Sequence, residues 1–148
     1  MRDAGRERCP QGWMTSGGAC YRIFQEKRTW KAAERECRSL GVRGHLASIL
    51  DAEETKDVAL YITSSPNKDL GPVWIGMFYK GKNSPQGDWW WIDSYKILYS
   101  NWIKGLPKIS YGKYCVYLEE YDYKYWKETD CIRDLAYLCK YELKYQRR

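Results

Sequence analysis

Thr29-Trp30-Lys31-Ala32-Ala33-Glu34-Arg35-Glu36-Cys37-Arg38-Ser39-Leu40-Gly41 is the stretch on which the fold turns. Thr29 is a side-chain cap and Gly41 a stop, so the pattern predicts a helix over 30–40. Trp30, Ala33, Cys37 and Leu40 recur at helical spacing and make its apolar face. Cys37 therefore points into the core, within reach of a partner far along the chain. A second helix is predicted from 51 to about 62. Asp51-Ala52-Glu53-Glu54 has the form of a capping box, and acids in a first turn suit the helix dipole. Val58, Ala59 and Ile62 supply its buried stripe, and Ser64-Ser65-Pro66-Asn67 ends it.

Upstream, Cys9-Pro10-Gln11-Gly12-Trp13 leads through Gly17-Gly18 to Cys20-Tyr21-Arg22-Ile23-Phe24, which reads as two short strands around a Gly-Gly turn, tied by one bridge. Beyond the helices the periodicity changes. Val73-Trp74-Ile75-Gly76-Met77 and Trp89-Trp90-Trp91-Ile92 read as strands flanking a polar loop over 80–88. Residues 98–113 are mostly irregular. Tyr114-Cys115-Val116-Tyr117-Leu118, Tyr123-Lys124-Tyr125-Trp126 and Tyr137-Leu138-Cys139-Lys140 are three further strand candidates. Strands, two helices, then strands and long loops give an α+β fold with a mainly antiparallel sheet. Residues 1–8 read as a flexible arm, 9–142 as the domain and 143–148 as a basic tail.

The chain has 148 residues, which fits one domain. Its 44% apolar and 30% charged composition excludes disordered, collagenous and low-complexity classes. No apolar run approaches the roughly 20 residues that cross a membrane as a helix. The net charge is +6, a mild attraction for polyanions. No nucleic-acid motif accompanies it, so no nucleic-acid partner is expected. Eight Trp and fourteen Tyr stand against two Phe, a preference for rings with a polar tip that suits half-buried and binding surfaces.

Six cysteines, Cys9, Cys20, Cys37, Cys115, Cys131 and Cys139, are scattered without a C-x-x-C pair, and His45 is the single histidine. That pattern disfavours a thiolate zinc site and favours disulfides and an oxidising compartment. Arithmetic does not choose among the possible pairings. The polar start, Met1-Arg2-Asp3-Ala4, reads as a mature secreted, extracellular chain with Met1 an added start. No Asn sits in the N-x-[ST] pattern, so N-glycosylation is not expected.

Cys9-Pro-x-Gly-Trp13, Cys20-Tyr21, Trp30-x-x-Ala33-Glu34-x-x-Cys37, His45-Leu-Ala-Ser48-Ile49, Val73-Trp-Ile-Gly76, Trp89-x-Trp91-x-Asp93, Cys115, Cys131 and Leu138-Cys139 resemble the C-type lectin-like domain over nearly the whole chain. The wording is most similar to secreted single-domain members: regenerating (pancreatic-stone) proteins, eggshell lectin-like proteins and snake-venom lectins. The resemblance implies two helices packed on mainly antiparallel sheets and a long ligand-face loop between Trp91 and Cys115. It also implies the disulfides Cys9–Cys20, Cys37–Cys139 and Cys115–Cys131. The extra cysteine and shortened loop of disulfide-linked venom heterodimers are missing. A monomer or non-covalent oligomer is expected.

In sugar-binding members a calcium ion on the long loop is completed by sugar hydroxyls. The resemblance places its ligands at Leu106-Pro107-Lys108, at Tyr117 and at Trp126-Lys127-Glu128. Calcium wants several oxygen ligands, and Leu106 offers none. Lys108 and Lys127 bring ammonium groups, and two unit charges a few Å from a divalent ion cost on the order of several kcal/mol. Glu128 alone remains, so no calcium and no other cofactor is expected at this site. An auxiliary calcium position in some members matches Ser48, Leu50, Glu54 and Glu142. Leu50 stands where an acid is usual, so that site is incomplete.

Lys104, Lys108, Lys113, Lys124 and Lys127 lie among Tyr111, Tyr114, Tyr117, Tyr121, Tyr123, Tyr125 and Trp126. In a strand Tyr121, Tyr123 and Tyr125 share one face. The pattern fits a basic aromatic recognition surface, and equally a half-buried sheet with solvated lysines. The expected ligand-binding residues are Lys104, Leu106, Lys108, Tyr117, Tyr123, Tyr125, Lys127 and Glu128. No catalytic or metal residue is expected: the cysteines are committed, His45 lacks a Cys or acid neighbour, and Glu119 and Glu120 would diverge in a strand. The expectation is therefore a secreted, non-catalytic module that binds glycan, anionic ones included, or extracellular protein without calcium. A self-associating or mineral-associated matrix protein and a toxin-like protein-binding lectin are the alternatives.

Overall fold

A computed structural model describes residues 8–40, 44–66, 69–81, 89–104 and 113–143. Elements run β1 (Met14–Ser16), β2 (Ala19–Arg28), α1 (Trp30–Ser39), β3 (His45–Leu46), α2 (Ala52–Thr63), β4 (Val73–Tyr79), β5 (Trp89–Trp91), β6 (Tyr114–Leu118), β7 (Trp126–Asp130) and β8 (Leu135–Glu142). The strand order is β1-β2-β8-β4-β6-β7, with β3 on β8 and β5 on β4. Only β4 and β8 among these strands run parallel, with Val73 opposite Ala136 and Trp74 opposite Tyr137.

The local signals act as read. Gly17 and Gly18 hold φ of 56° and 81°, the left-handed pair that a two-residue hairpin turn needs, and Met14 to Ser16 register on Tyr21 to Ala19. The Thr29 side chain accepts from Ala32 N at the start of α1, and Asp51 accepts from Glu54 N at the start of α2. Leu40 is the exception on the apolar face: it is the C-cap of α1 and is exposed.

The two helices bury two different stripes. Trp30, Ala33 and Cys37 of α1 pack on Leu46, Trp74, Cys115, Tyr117 and Tyr137. Val58 and Ile62 of α2 pack with Tyr21, Ile75, Val116 and Trp126. The sheet is thus covered by α1 on one side and by α2 and the loop side on the other. Trp74 has no exposed surface and its indole N–H donates to Arg28 O (2.9 Å), so its polar tip is satisfied inside the core. At Gly76 a Cβ would lie 2.6 Å from the Leu46 carbonyl oxygen, and Gly76 N donates to Ala47 O (2.8 Å). The close approach of β4 to the β3 segment requires glycine there.

Three disulfides join Cys9–Cys20, Cys37–Cys139 and Cys115–Cys131. The second spans 102 residues and pins α1 to β8, the kind of long loop whose closure stabilises by about 4–5 kcal/mol in the chain-entropy account.

One predicted strand is displaced. Residues 123–125 are not strand: β7 begins at Trp126 and runs to Asp130. Residues 119–125 form the β6–β7 turn, closed by Glu119 N to Tyr125 O (2.8 Å) and Tyr123 N to Glu119 O (2.9 Å). Tyr123 takes φ of 58°, which no strand residue adopts.

Candidate functional site

Trp126 organises the ligand-face side. Its ring is fully buried, edge-on to Trp91 (5.4 Å), Trp102 (5.6 Å) and Tyr99 (6.0 Å). Its backbone accepts from Ile103 N and donates to Asn101 O, which ties the segment ahead of Lys104 to the edge of the sheet. Lys104 is exposed at the end of that segment. Leu106 and Lys108 lie outside the described residues, as does Tyr111.

The register of β6 on β7 sorts the remaining candidates. Tyr117 pairs with Lys127 and Val116 with Glu128. Successive strand residues face opposite ways, so Lys127 shares the α1 face with Tyr117 while Glu128 shares the Trp126 face. Lys127 is exposed and Glu128 half-buried. Tyr117 belongs to the core: it is 7% exposed, edge-on to Trp74 at 6.5 Å, with the Arg133 guanidinium 5.7 Å from its ring. Tyr117, one of the expected ligand-binding residues, therefore has its ring packed inside.

The three tyrosines of the turn do not share a face. Tyr123 is half-buried and its hydroxyl donates to Gly71 O (2.8 Å). Burial, then the Glu120 and Glu119 charges, hold its phenol above the ordinary tyrosine value. Tyr125 is 45% exposed and Tyr121 is 88% exposed. Asn101 Nδ2 donates to Lys124 O (2.7 Å), fixing the turn against the Trp102 segment.

The second position, between α2 and β8, holds something the sequence reading missed. Lys140, 6% exposed, donates from Nζ to Ser48 O (3.1 Å), Ser48 Oγ (3.1 Å) and Glu54 Oε2 (2.6 Å). Glu54 Oε1 accepts from Leu50 N (2.7 Å), and Tyr21 OH donates to Glu54 Oε2. Ser48 Oγ donates onward to Asp93 Oδ2 (2.6 Å). The Lys140 ammonium lies 5.5 Å from the Tyr21 ring and 6.0 Å from the Tyr95 ring, and Tyr95 OH donates to Glu142. Burial, reinforced by the Glu54 charge, pushes the Tyr21 phenol far up. The Glu142 hydrogen bond, then burial, pushes Tyr95 up to about 12. Thus Ser48 and Glu54, matched to an auxiliary calcium position, already surround a side-chain cation. A lysine continuing the apolar run of β8 was the one available signal.

His45 also differs from expectation, because it has an acid partner. Its Nδ1 lies 2.6 Å from Glu34 Oε2, and Glu34 Oε1 accepts from Leu46 N (2.8 Å). Buried Glu34 thereby joins α1 to β3, a structural role. Among the described residues no group of three or more His, Cys, Asp or Glu is arranged to hold a metal ion, and no helix is long and apolar enough to cross a membrane.

Residues 26–141 match the lectin C-type domain. C-type lectin BpLec from Bothrops pauloensis is 37% identical over 134 residues, 89% of this chain and 96% of that protein. Human lithostathine superimposes with a TM-score of 0.84 at 29% identity, covering 96% of each chain. A calcium-independent type II antifreeze protein superimposes with a TM-score of 0.74 at 30% identity, covering 91% of this chain and 95% of that one. Shared sequence over most of the domain, the shared fold and the disulfide frame make this chain a member of the C-type lectin domain family.

Proposed function

We propose that this chain is a secreted, non-catalytic recognition module that binds a glycan, anionic ones included, or an extracellular protein by direct side-chain contact and without calcium. The observation that carries the reading is the chemistry at the matched positions. Lys127 is an exposed cation on an edge strand, while the Tyr117 ring is packed in the core. Calcium needs several oxygens converging on one point. Of the positions matched to its ligands, Leu106, Lys108, Tyr117, Lys127 and Glu128, only Glu128 carries a carboxylate. The donor set therefore does not fit the ion, and no binding step is routed through it. The auxiliary position does not fit it either, because the Lys140 ammonium uses Ser48 and Glu54.

Exposed Lys104 and Lys127 supply long-range attraction for sulfate, phosphate or carboxylate groups, and Tyr125 supplies ring surface at low entropic cost. That the antifreeze relative is calcium-independent supports the reading by showing that the fold carries a function without the ion.

The test is binding to immobilised heparin and mannan, with excess chelator and across a salt series. Retention survives chelation and weakens as salt screens the lysines. Retention that disappears on chelation and returns with calcium overturns the reading.

A further inference from the structure

The β6–β7 turn reads Leu118-Glu119-Glu120-Tyr121-Asp122-Tyr123-Lys124-Tyr125. Three acids lie within two residues of Tyr121, in a chain whose net charge is +6. By sequence Asp122 adjoins both Tyr121 and Tyr123, but Lys124 follows Tyr123 and Glu119 and Glu120 stand closer to Tyr121. The structure separates them. Tyr121 is 88% exposed at the apex of the turn, whereas Tyr123 is half-buried with its hydroxyl held by the Gly71 carbonyl. Of the other exposed tyrosines, Tyr125 at 45% is flanked by Lys124, and Tyr95 at 42% donates its hydroxyl to Glu142. Tyr121 alone among these combines a presented phenol with an anionic flank on both sides.

We infer that Tyr121 is a sulfation site, modified by a lumenal sulfotransferase that reads the Glu119-Glu120-Tyr121-Asp122 turn. An enzyme that holds an activated sulfate presents cationic groups, and acidic flanks steer a substrate tyrosine to it as exposed lysines steer anions. The donor is a phosphate–sulfate mixed anhydride of a nucleotide. Tyr121 Oη attacks its sulfur, an O–S bond forms, and the S–O bond to phosphate breaks. The nucleotide phosphate leaves with the electron pair, the phenolic proton passes to a base on the enzyme, and nothing is oxidised or reduced. The ester adds one permanent negative charge to the turn, beside Glu119, Glu120 and Asp122. A basic protein would thereby present a concentrated anionic tip, separate from exposed Lys104 and Lys127. The closed turn limits the choice to one residue, since Tyr123 must break its bond to Gly71 before its oxygen can react.

The inference rests on the secretory reading, so the test supplies the compartment. The folded full chain is incubated with a Golgi-membrane extract and radiolabelled activated sulfate, beside Y121F and Y123F variants and an acidic tyrosine peptide as a positive control. The expected result is one acid-labile, phosphatase-resistant label per chain, lost in Y121F and retained in Y123F. No label on the folded chain while the peptide is labelled overturns the inference, as does label that persists in Y121F. Whether cells export the chain is read separately from the culture medium, so failure of secretion and failure of Tyr121 are distinguishable.

Discussion

Lys140 and Lys127 both occupy strands, and both stand at or beside positions that the resemblance matched to calcium ligands, yet the fold treats them oppositely. Lys140 lies in β8, between β2 and β4 in the sheet, with its ammonium saturated by Ser48 and Glu54 and ringed by Tyr21 and Tyr95. Lys127 lies on the edge strand β7 and faces solvent, across the strand from Glu128. One lysine has become part of the interior and the other part of the surface. A buried charge is tolerated only when paired and hydrogen-bonded, whereas an exposed one contributes little to stability and much to encounter with a ligand.

The comparison can be broken most forcefully at Lys140. K140M takes the cationic partner from the buried Glu54 carboxyl, a loss of about 3–5 kcal/mol in urea denaturation. Neutralising both groups in E54Q/K140M recovers a large part of that loss in a double-mutant cycle. If K140M unfolds at the wild-type midpoint, the buried pair is not what holds α2 to β8. The next effect is Y21F, which removes the hydroxyl donated to Glu54; hydrogen bonds to charged groups of this kind are worth about 1.5–3 kcal/mol.

Alkaline pH sharpens the same contrast. Tyr21 and Tyr95 have phenols held above their unfolded value, so the fold favours their neutral form. Their contribution is fully present below the unfolded phenol value near 10 and is lost as pH rises through the folded one. Stability should therefore fall from about pH 10 towards the Tyr95 value of about 12. Tyrosinate absorbance should lag in the folded protein, and Y95F should flatten the stability slope in that window. The smallest stability effect belongs to Lys127: K127E stays within about 0.5 kcal/mol of wild type by denaturation. Its retention on heparin nonetheless falls several-fold at low salt, and unchanged retention removes Lys127 from the recognition surface.

Features set by a few neighbouring residues were legible before the fold was known. Thr29 and Asp51 announced their helices, and Gly17-Gly18 its hairpin. The disulfide frame was legible only through the family resemblance. What escaped reading depends on contacts distant in sequence. Lys140 meets Glu54 across 86 residues, and nothing near either names the other. Alternating Tyr121, Tyr123 and Tyr125 looked like a strand because period-two aromatics fit one. The Tyr123 bond to Gly71, 52 residues away, accompanies a left-handed backbone instead. Tyr117 was matched to a ligand position by alignment alone, and only the β4–β6–β7 register shows its ring turned inward.

Whether calcium has any place in this molecule is decided by titrating the folded wild-type chain with the ion, following binding by calorimetry and stability by thermal unfolding. The expected outcome is no saturable heat and no rise in Tm at millimolar calcium, because Lys140 already uses Ser48 and Glu54, and the other matched position has a carboxylate at Glu128 beside lysines at 108 and 127 in sequence. Stoichiometric calcium uptake that raises Tm, and that vanishes in E128Q, would show that the ion binds where the lysines were held to exclude it.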